Sequence, residues 1–227
     1  LVPDQRAHWN EAMRTVLLRL GRGTEARAAW QEELAAHPPA HDEWFGYAEL
    51  CLFLGDQDEY RRARRDLLAQ FGTTSDRDVA ERVARACLLR PAPEDELRQA
   101  VALAERALAG GRVGHEGGYP YFLFTAGLAR YRQGRFDDAI GLMNGDAASV
   151  MGPSPRLVMA MAKYRKGQQD EARKTLAAAV LSYDWVAAKA DNQESWIAHV
   201  LHREAEALIS PDSIIEHRDR SGCRGGN

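Results

Sequence analysis

Three side chains near the C-terminal end have types and spacing that could bind a metal ion. His199, His202 and Glu206 are three and seven positions apart, so they lie near one face if the segment is helical. Imidazole and carboxylate groups are ordinary zinc ligands. No cysteine or further histidine completes a ligand set around them. We therefore interpret both histidines as solvated side chains and predict neither a metal nor another cofactor.

A second candidate for chemistry is the stretch 110–118, in which five of nine residues are glycine. A phosphate-binding loop follows a strand and carries Gly-Lys-Ser or Gly-Lys-Thr before a helix. This stretch follows a helical pattern and contains no lysine. It is therefore predicted to be a flexible connection between two helices.

The residue patterns of hydrolytic catalysis are missing from the sequence. It contains no Gly-x-Ser-x-Gly motif, and no serine or cysteine stands beside a plausible base. The acidic pairs Asp137-Asp138 and Asp170-Glu171 fall where helices are predicted to begin, and negative charge there stabilises the helix dipole. The sequence predicts no catalytic residue, and we expect a protein that is not an enzyme.

Overall charge argues against nucleic-acid binding. Lysine and arginine number 30 against 33 for aspartate and glutamate, a net charge of −3, and no dense basic run stands out. Nucleic-acid binding usually requires a basic stripe or a net positive charge. No apolar run approaches the roughly 18 residues of a membrane-spanning helix. We predict neither a nucleic-acid partner nor a membrane partner.

The cysteines Cys51, Cys87 and Cys223 are odd in number, widely separated and without a Cys-x-x-Cys pair, so a disulfide framework is not expected. Cys51 and Cys87 lie among apolar helical positions, which is typical of small buried side chains. These features favour a reducing, cytoplasmic compartment. The chain opens at Leu1 without an initiator methionine, so we expect a fragment of a longer protein.

A short repeated phrase organises the chain. Residues 133–140 read Gln-Gly-Arg-Phe-Asp-Asp-Ala-Ile, and a similar phrase returns around Gly167, 33 residues after Gly134. Related phrases surround Gly21 and Gly55, which are 34 residues apart. A period in the thirties is typical of stacked helical hairpins, with glycine at each turn and alanine where the second helix approaches the first. The sequence therefore predicts a repeat protein.

Apolar spacing and Pro or Gly breaks give the expected helices. The second pair begins with one continuous helix through residues 44–52, and Arg90-Pro91-Ala92-Pro93 separates the two helices of the third pair. The last helix is predicted from Gln193 to Ile209, with Asp191 and Glu194 as a capping pair. Residues 210–227 are rich in Ser, Asp, Arg and Gly and are predicted to be a disordered tail.

The repeated phrase resembles the tetratricopeptide repeat family over roughly residues 6–182. The resemblance implies an all-α fold: a right-handed α-solenoid of about five antiparallel helix pairs and a C-terminal capping helix, over residues 4–209. The stretch 184–192 also looks like the end of bacterial multidomain proteins in which such repeats follow a Ser/Thr kinase or WD40 module. Residues of the fourth pair that match the repeat are Gly127, Gly134, Phe136, Ala139 and Ile140.

In this family the first helix of each pair lines a concave groove. The matching positions imply a groove that is acidic toward the N-terminus and aromatic toward the C-terminus. The third pair, whose register is less regular, places Asp78, Glu81 and Arg85 at these positions. The candidate peptide-binding residues are Glu11, Asp42, Phe45, Glu49, Tyr121, Phe124, Tyr131, Met161 and Tyr164.

We interpret this groove as the binding surface of a non-catalytic protein–protein interaction scaffold. Its ligand would be a peptide or protein segment with basic residues on the first half and apolar residues on the second. A second interpretation is that Phe124, Leu128 and Leu157 only pack between helices and that the acidic residues are solvated. The alternative function is a regulatory or sensory domain of a larger enzyme, such as a bacterial Ser/Thr kinase, with a partner in the same parent chain.

Overall fold

Helices make up all the regular secondary structure that the computed structural model describes, which covers residues 12–36 and 41–210. Two short 3-10 helices, Asp146–Ser149 and Ala187–Lys189, lie in connections. The α-helices are α1 (12–19), α2 (Gly23–Ala36), α3 (His41–Trp44), α4 (Tyr47–Phe53), α5 (Gln57–Phe71), α6 (Arg77–Leu88), α7 (Glu94–Ala109), α8 (Tyr119–Arg132), α9 (Phe136–Met143), α10 (Ser154–Arg165), α11 (Gln169–Leu181) and α12 (Gln193–Ile209).

The helices form hairpins that stack one on the next. Helix α4 pairs with α5, α6 with α7, α8 with α9 and α10 with α11, and each second helix also contacts the first helix of the following pair. The first helices α4, α6, α8 and α10 contact each other in turn and form the inner layer. The predicted all-α solenoid is confirmed. The predicted residues 4–11 and the tail after Ser210 lie outside the described residues.

The turns of the hairpins explain the period of the sequence. Gly21, Gly55, Gly134 and Gly167 all have positive φ angles, between 71° and 86°. In each turn the amide of the next residue donates a hydrogen bond of 2.8–3.0 Å to the carbonyl five residues earlier. This bond ends a helix and favours glycine, because a side chain is strained in the left-handed conformation. The recurrent glycine is therefore a helix stop.

Small residues let the paired helices approach, as the repeat pattern predicts. Ala26, Ala139 and Ala172, at equivalent positions of their second helices, are completely buried. A Cβ atom on Gly127 of α8 would come within 2.9 Å of the Met143 side chain on α9. A larger residue at position 127 would therefore push the two helices apart.

Arginine side chains stabilise the C-terminal ends of helices elsewhere in the stack, a device that repeat spacing does not reveal. Arg106 donates to carbonyls after α5, Arg77 to those at the end of α7, Arg132 to Leu88 and Leu89 after α6, and Arg203 to the end of α4. A guanidinium group at a helix C-terminus satisfies unpaired carbonyls and favours the dipole.

The first helix of the second pair is broken, where the sequence predicts one continuous helix. Gly46 separates α3 from α4 and has a φ angle of 99°. A Cβ atom at this position would lie 3.3 Å from the rings of both Trp30 and Trp196. The break brings the backbone close to two tryptophans, one of which comes from α12.

The last helix has the predicted bounds, but it does not only cap the end of the stack. Helix α12 packs on α10 and α11 and also on α4, across the inner layer. Its buried side chains form a face that is wider than the single apolar stripe of a surface helix. Its N-cap is Asn192, which accepts from Ser195 N at 3.0 Å, so the expected cap at Asp191 is wrong by one residue. The buried side chains include Trp196, Ile197, Val200, Leu201, Ala205 and Ile209.

Candidate binding site on the inner face

Helix α12 lies along the inner face of the stack and makes polar contacts at both of its ends. Near its N-terminus, Gln193 Nε2 donates to Glu49 Oε1 at 2.5 Å, and Tyr121 O–H donates to Glu194 Oε1 at 2.9 Å. Glu49 belongs to α4 and Tyr121 to α8, so the first turn of α12 connects two pairs of the stack. The chain's own last helix therefore occupies part of the inner face.

A buried ion pair holds the C-terminal half of α12. Arg132 donates to both carboxylate oxygens of Glu204, at 2.5 and 2.7 Å, while it also donates to the carbonyls after α6. The side chain of Arg132 is 6% exposed and that of Glu204 is 15% exposed. Burial opposes the charged form of Arg132, but the bonds to Glu204 outweigh it and raise the pKa of the guanidinium.

A cavity of about 570 Å³ remains open beside the first turn of α12. Side chains of α6 and the start of α8 form one side, and the start of α12 forms the other. Cavities of this size are typical of small-molecule sites and of pockets that receive side chains. The lining residues are Phe45, Asp78, Glu81, Arg82, Arg85, Gly118, Tyr121, Phe122, Asn192, Gln193 and Glu194. We call this cavity the α12 pocket.

The floor of the α12 pocket contains a buried ion pair. Glu81 and Arg85 are one helical turn apart on α6, with Arg85 Nε 3.1 Å from Glu81 Oε1, and both side chains are at most 5% exposed. Thr125 Oγ1 donates to the same carboxylate oxygen at 2.7 Å. The guanidinium group of Arg85 lies 5.8 Å from the ring centres of Phe45 and of Tyr121. Aromatic rings at this distance attract a cation.

The rim of the α12 pocket is acidic and open to water. Asp78 and Glu194 are exposed, and Asp78 Oδ2 lies 3.6 Å from Nδ1 of His115. Burial and the hydrogen bond to Glu194 raise the pKa of Tyr121, so its hydroxyl stays protonated and donates. The pocket thus has an aromatic wall between a buried ion pair and a solvated acidic rim.

The pocket brings together two candidate residues, Phe45 from the N-terminal half of the groove and Tyr121 from the C-terminal half. Phe45 and Tyr121 line it and are half-buried. Glu49 lies behind it, 1% exposed, and burial raises the pKa of its carboxyl group. Asp42 lies in α3, with its side chain outside the described part of the chain, and Glu11 also lies outside the described residues.

The other candidate residues from the C-terminal half of the groove lie in or against the core in this structure. Phe124 and Met161 are completely buried, and Tyr131 is 6% exposed. Tyr164 is half-buried and packs against the same core. Their role in binding a partner stays a prediction. The complete burial of Phe124, Leu128 and Leu157 agrees with the second interpretation, in which these side chains pack between helices.

Sequence reasoning missed the contribution of α12 to the site. Repeat positions relate each helix to its neighbours, and Gln193 is 144 residues from Glu49, to which it is bonded. Arg82 is the other omission, and its guanidinium group lies 4.6 Å from the ring centre of Phe45. The i, i+3 spacing of Arg82 and Arg85 on α6 was the available signal.

The two histidines of the candidate metal site pack on aromatic rings. Trp185 stacks on His202 with 4.0 Å between ring centres and meets His199 edge-on at 5.4 Å. His202 Nε2 is 3.3 Å from Glu206 Oε1. Burial lowers the pKa of both histidines. Within residues 12–36 and 41–210, no group of three His, Cys, Asp or Glu side chains is arranged to hold a metal ion.

Comparison with known proteins identifies the fold. No protein-family model and no curated protein matches the chain. The chain is similar to the crystal structure of PilW, a widely conserved type IV pilus biogenesis factor, with a TM-score of 0.55 and 16% identity, over 92% of this chain and 94% of that one. It is also similar to a tetratricopeptide repeat protein from Parabacteroides merdae, with a TM-score of 0.56 and 12% identity, over 95% of this chain and 84% of that one. These likenesses show a tetratricopeptide-repeat-like fold.

Proposed function

We propose that this protein is a non-catalytic scaffold that binds a segment of a protein partner at the α12 pocket. The observation that carries the proposal is the open cavity of about 570 Å³ on the inner face, beside the first turn of α12. Two groove residues expected from the repeat pattern, Phe45 and Tyr121, line it. The tetratricopeptide-repeat-like fold supports a role in protein–protein interaction.

The chemistry of the pocket supports a protein ligand. Aromatic and arginine side chains in a concave, partly desolvated site are typical of binding hot spots. The inner helices around the pocket are buried and joined by hydrogen bonds to α12, so few groups need ordering when a partner binds. A partner segment would then gain affinity from a preformed surface.

Because α12 lies on the inner face, the surface proposed for the partner is smaller than the groove predicted from the sequence. Side chains such as Phe124 and Met161 are completely buried, and a partner that entered the inner face beneath α12 would have to displace that helix with its buried face. Because that face is extensive and apolar, exposing it to water would cost far more free energy than a contact on the surface would supply. The proposed partner therefore binds beside α12.

A peptide selection tests the proposal. Random peptides displayed on phage would be selected on the full chain, and the affinities of the selected peptides measured for wild type, Tyr121→Ala and Tyr183→Ala. Tyr183 is a half-buried tyrosine that packs against Trp185 away from the pocket, and it serves as the matched control. We expect Tyr121→Ala to weaken binding at least about tenfold, as for a hot-spot aromatic, and the control to stay within about twofold. Equal affinity for all three proteins would contradict the proposal.

We also propose a bacterial, cytoplasmic setting and a partner that is neither a nucleic acid nor a membrane. Cys51 and Cys87 are free and buried, which supports a reducing compartment. Within the described residues no helix is long and apolar enough to cross a membrane. If the scaffold serves a larger enzyme in the same parent chain, such as a Ser/Thr kinase, a segment of that enzyme should compete with the selected peptides.

A further inference from the structure

We propose that the floor of the α12 pocket receives a carboxylate from an aspartate or glutamate side chain of the partner, with Arg85 as its main hydrogen-bond donor. This proposal rests on the proposed function and names the chemistry of the partner. It differs from the expectation of a basic segment on this half of the groove. Its basis is the hydrogen bonding of one buried guanidinium group.

Arg85 has more N–H donors than there are acceptors around it. Its side chain is 3% exposed, and a guanidinium group carries five N–H donors. In hydrogen-bond geometry it meets one acceptor among the described residues, the Met151 sulfur, 3.2 Å from Nη1. The Nε atom lies 3.1 Å from Glu81, but its hydrogen does not point at that oxygen, so Nε is buried without a hydrogen bond.

An unsatisfied buried donor is costly, and thioether sulfur is a weak acceptor. Arg85 lines a cavity large enough to admit another group. An acceptor that enters the cavity would therefore gain hydrogen bonds that the protein alone does not supply. The most favourable acceptor for a guanidinium group is a carboxylate, which takes two parallel N–H bonds.

The buried carboxylates near the floor already have hydrogen-bond donors of their own. Glu81 accepts from Thr125 and lies beside Arg85, and Glu49, behind the pocket, accepts from Gln193. Arg82 and Arg85 place two guanidinium groups against the ring of Phe45. The other acidic groups, Asp78 and Glu194, stand exposed at the rim, where water screens their repulsion. At the floor the group that lacks a hydrogen-bond partner is thus a donor, Nε of Arg85.

The residues around Arg85 favour a side-chain carboxylate over the terminal carboxylate of a chain. The rings of Phe45 and Tyr121 can cover the methylene groups of an acidic side chain as its carboxylate descends to Arg85. The rim carboxylates of Asp78 and Glu194 can accept from backbone N–H groups of a segment that continues past the pocket on both sides. A chain end would use fewer of these acceptors.

Small probes test this inference independently of any selected peptide. Benzoate, benzamide and benzylammonium share one ring and differ in their head group, and each would be titrated into the full chain by NMR. We expect benzoate to shift the Arg85 Nε–H signal and the Thr125 amide, with about tenfold weaker binding of benzamide and none of benzylammonium. Tighter binding of benzylammonium would overturn the proposal.

Variants of Arg85 and Phe45 test whether benzoate binds in the α12 pocket. Arg85→Met should lose benzoate binding, while Arg98→Met, which removes an exposed arginine paired with Glu94 on α7, should keep it. Because Arg85→Met leaves Glu81 buried without its cation, Phe45→Leu is the second variant: it keeps the ion pair and should bind benzoate several-fold more weakly. Unchanged benzoate binding by a folded Arg85→Met or by Phe45→Leu would refute the site.

Two peptides distinguish the sources of the carboxylate. Acetyl-Gly-Gly-Glu-Gly-Gly-amide carries only a side-chain carboxylate, and acetyl-pentaglycine carries only a terminal one. Shifts at Arg85 with the first peptide alone would support the proposal, and stronger shifts with the second would overturn it. If benzoate binds but no peptide is selected, the proposed function fails and the carboxylate site stands; the reverse outcome removes this inference alone.

Discussion

Removal of one carboxylate from α12 should destabilise the whole fold. In Glu204→Gln, Arg132 would lose its bidentate ion pair while it remains 94% buried. Breaking one side of a buried pair typically costs about 3–5 kcal/mol. Arg132 keeps its bonds to Leu88 and Leu89, and glutamine can still accept one hydrogen bond. We therefore expect a loss of about 2–3 kcal/mol in the free energy of unfolding.

The assay is urea denaturation followed by circular dichroism, with hydrogen exchange to locate the effect. The amides of α12 should lose protection most, since Glu204 anchors that helix. Glu94→Gln is the matched control, because Glu94 forms an exposed i, i+4 pair with Arg98 whose removal should cost at most about 0.5 kcal/mol. An unfolding midpoint for Glu204→Gln equal to that of the control would refute the reasoning.

Three further predictions concern stability and reactivity. Gly46→Ala should lower the free energy of unfolding by about 1–3 kcal/mol in urea denaturation, because its φ angle is 99° and its Cβ would crowd two tryptophan rings; an unchanged midpoint would contradict this. Burial lowers the pKa of His199 and His202 in the fold, so the unfolded chain takes up their protons first, and stability should be full above about pH 6.5 and fall as the pH decreases below it. Replacing both histidines with glutamine should reduce that pH dependence in urea denaturation, and an unaltered slope would show that other groups cause it. Burial raises the pKa of Cys51, to about 12, and of Cys87, so in a variant without the third cysteine a disulfide reagent at pH 8 should modify these thiols no faster than the protein unfolds.

The fold could be predicted because its determinants are local. Four of the hairpin turns have a glycine in the left-handed conformation, and Gly134 and Gly167 therefore mark the period in the sequence. The bounds of α12 follow likewise from the apolar spacing within it, although its N-cap is Asn192 and not Asp191 as expected. Local rules give the ends of helices and the pairing of neighbours.

The candidate site could be predicted only in part, because it depends on contacts between distant segments. Phe45 and Tyr121 were found through their places in the repeat. The bond from Gln193 to Glu49 joins residues far apart in the chain, and no repeat position encodes it. The break at Gly46 was missed for the same reason, since one of the tryptophans that crowd it comes from α12.

The return of α12 to α4 also changes how the chain can fold. In an open repeat array each unit contacts only its neighbours, so folding can begin anywhere and spread, and the two ends can melt separately. Here a contact between residues 49 and 193 closes a loop of nearly the whole stack, and the entropy of that closure must be overcome before the inner face is complete. Such distant pairing raises contact order and slows folding. We therefore expect the inner face to form last during synthesis, when α12 emerges, and the two ends of the array to be coupled in unfolding.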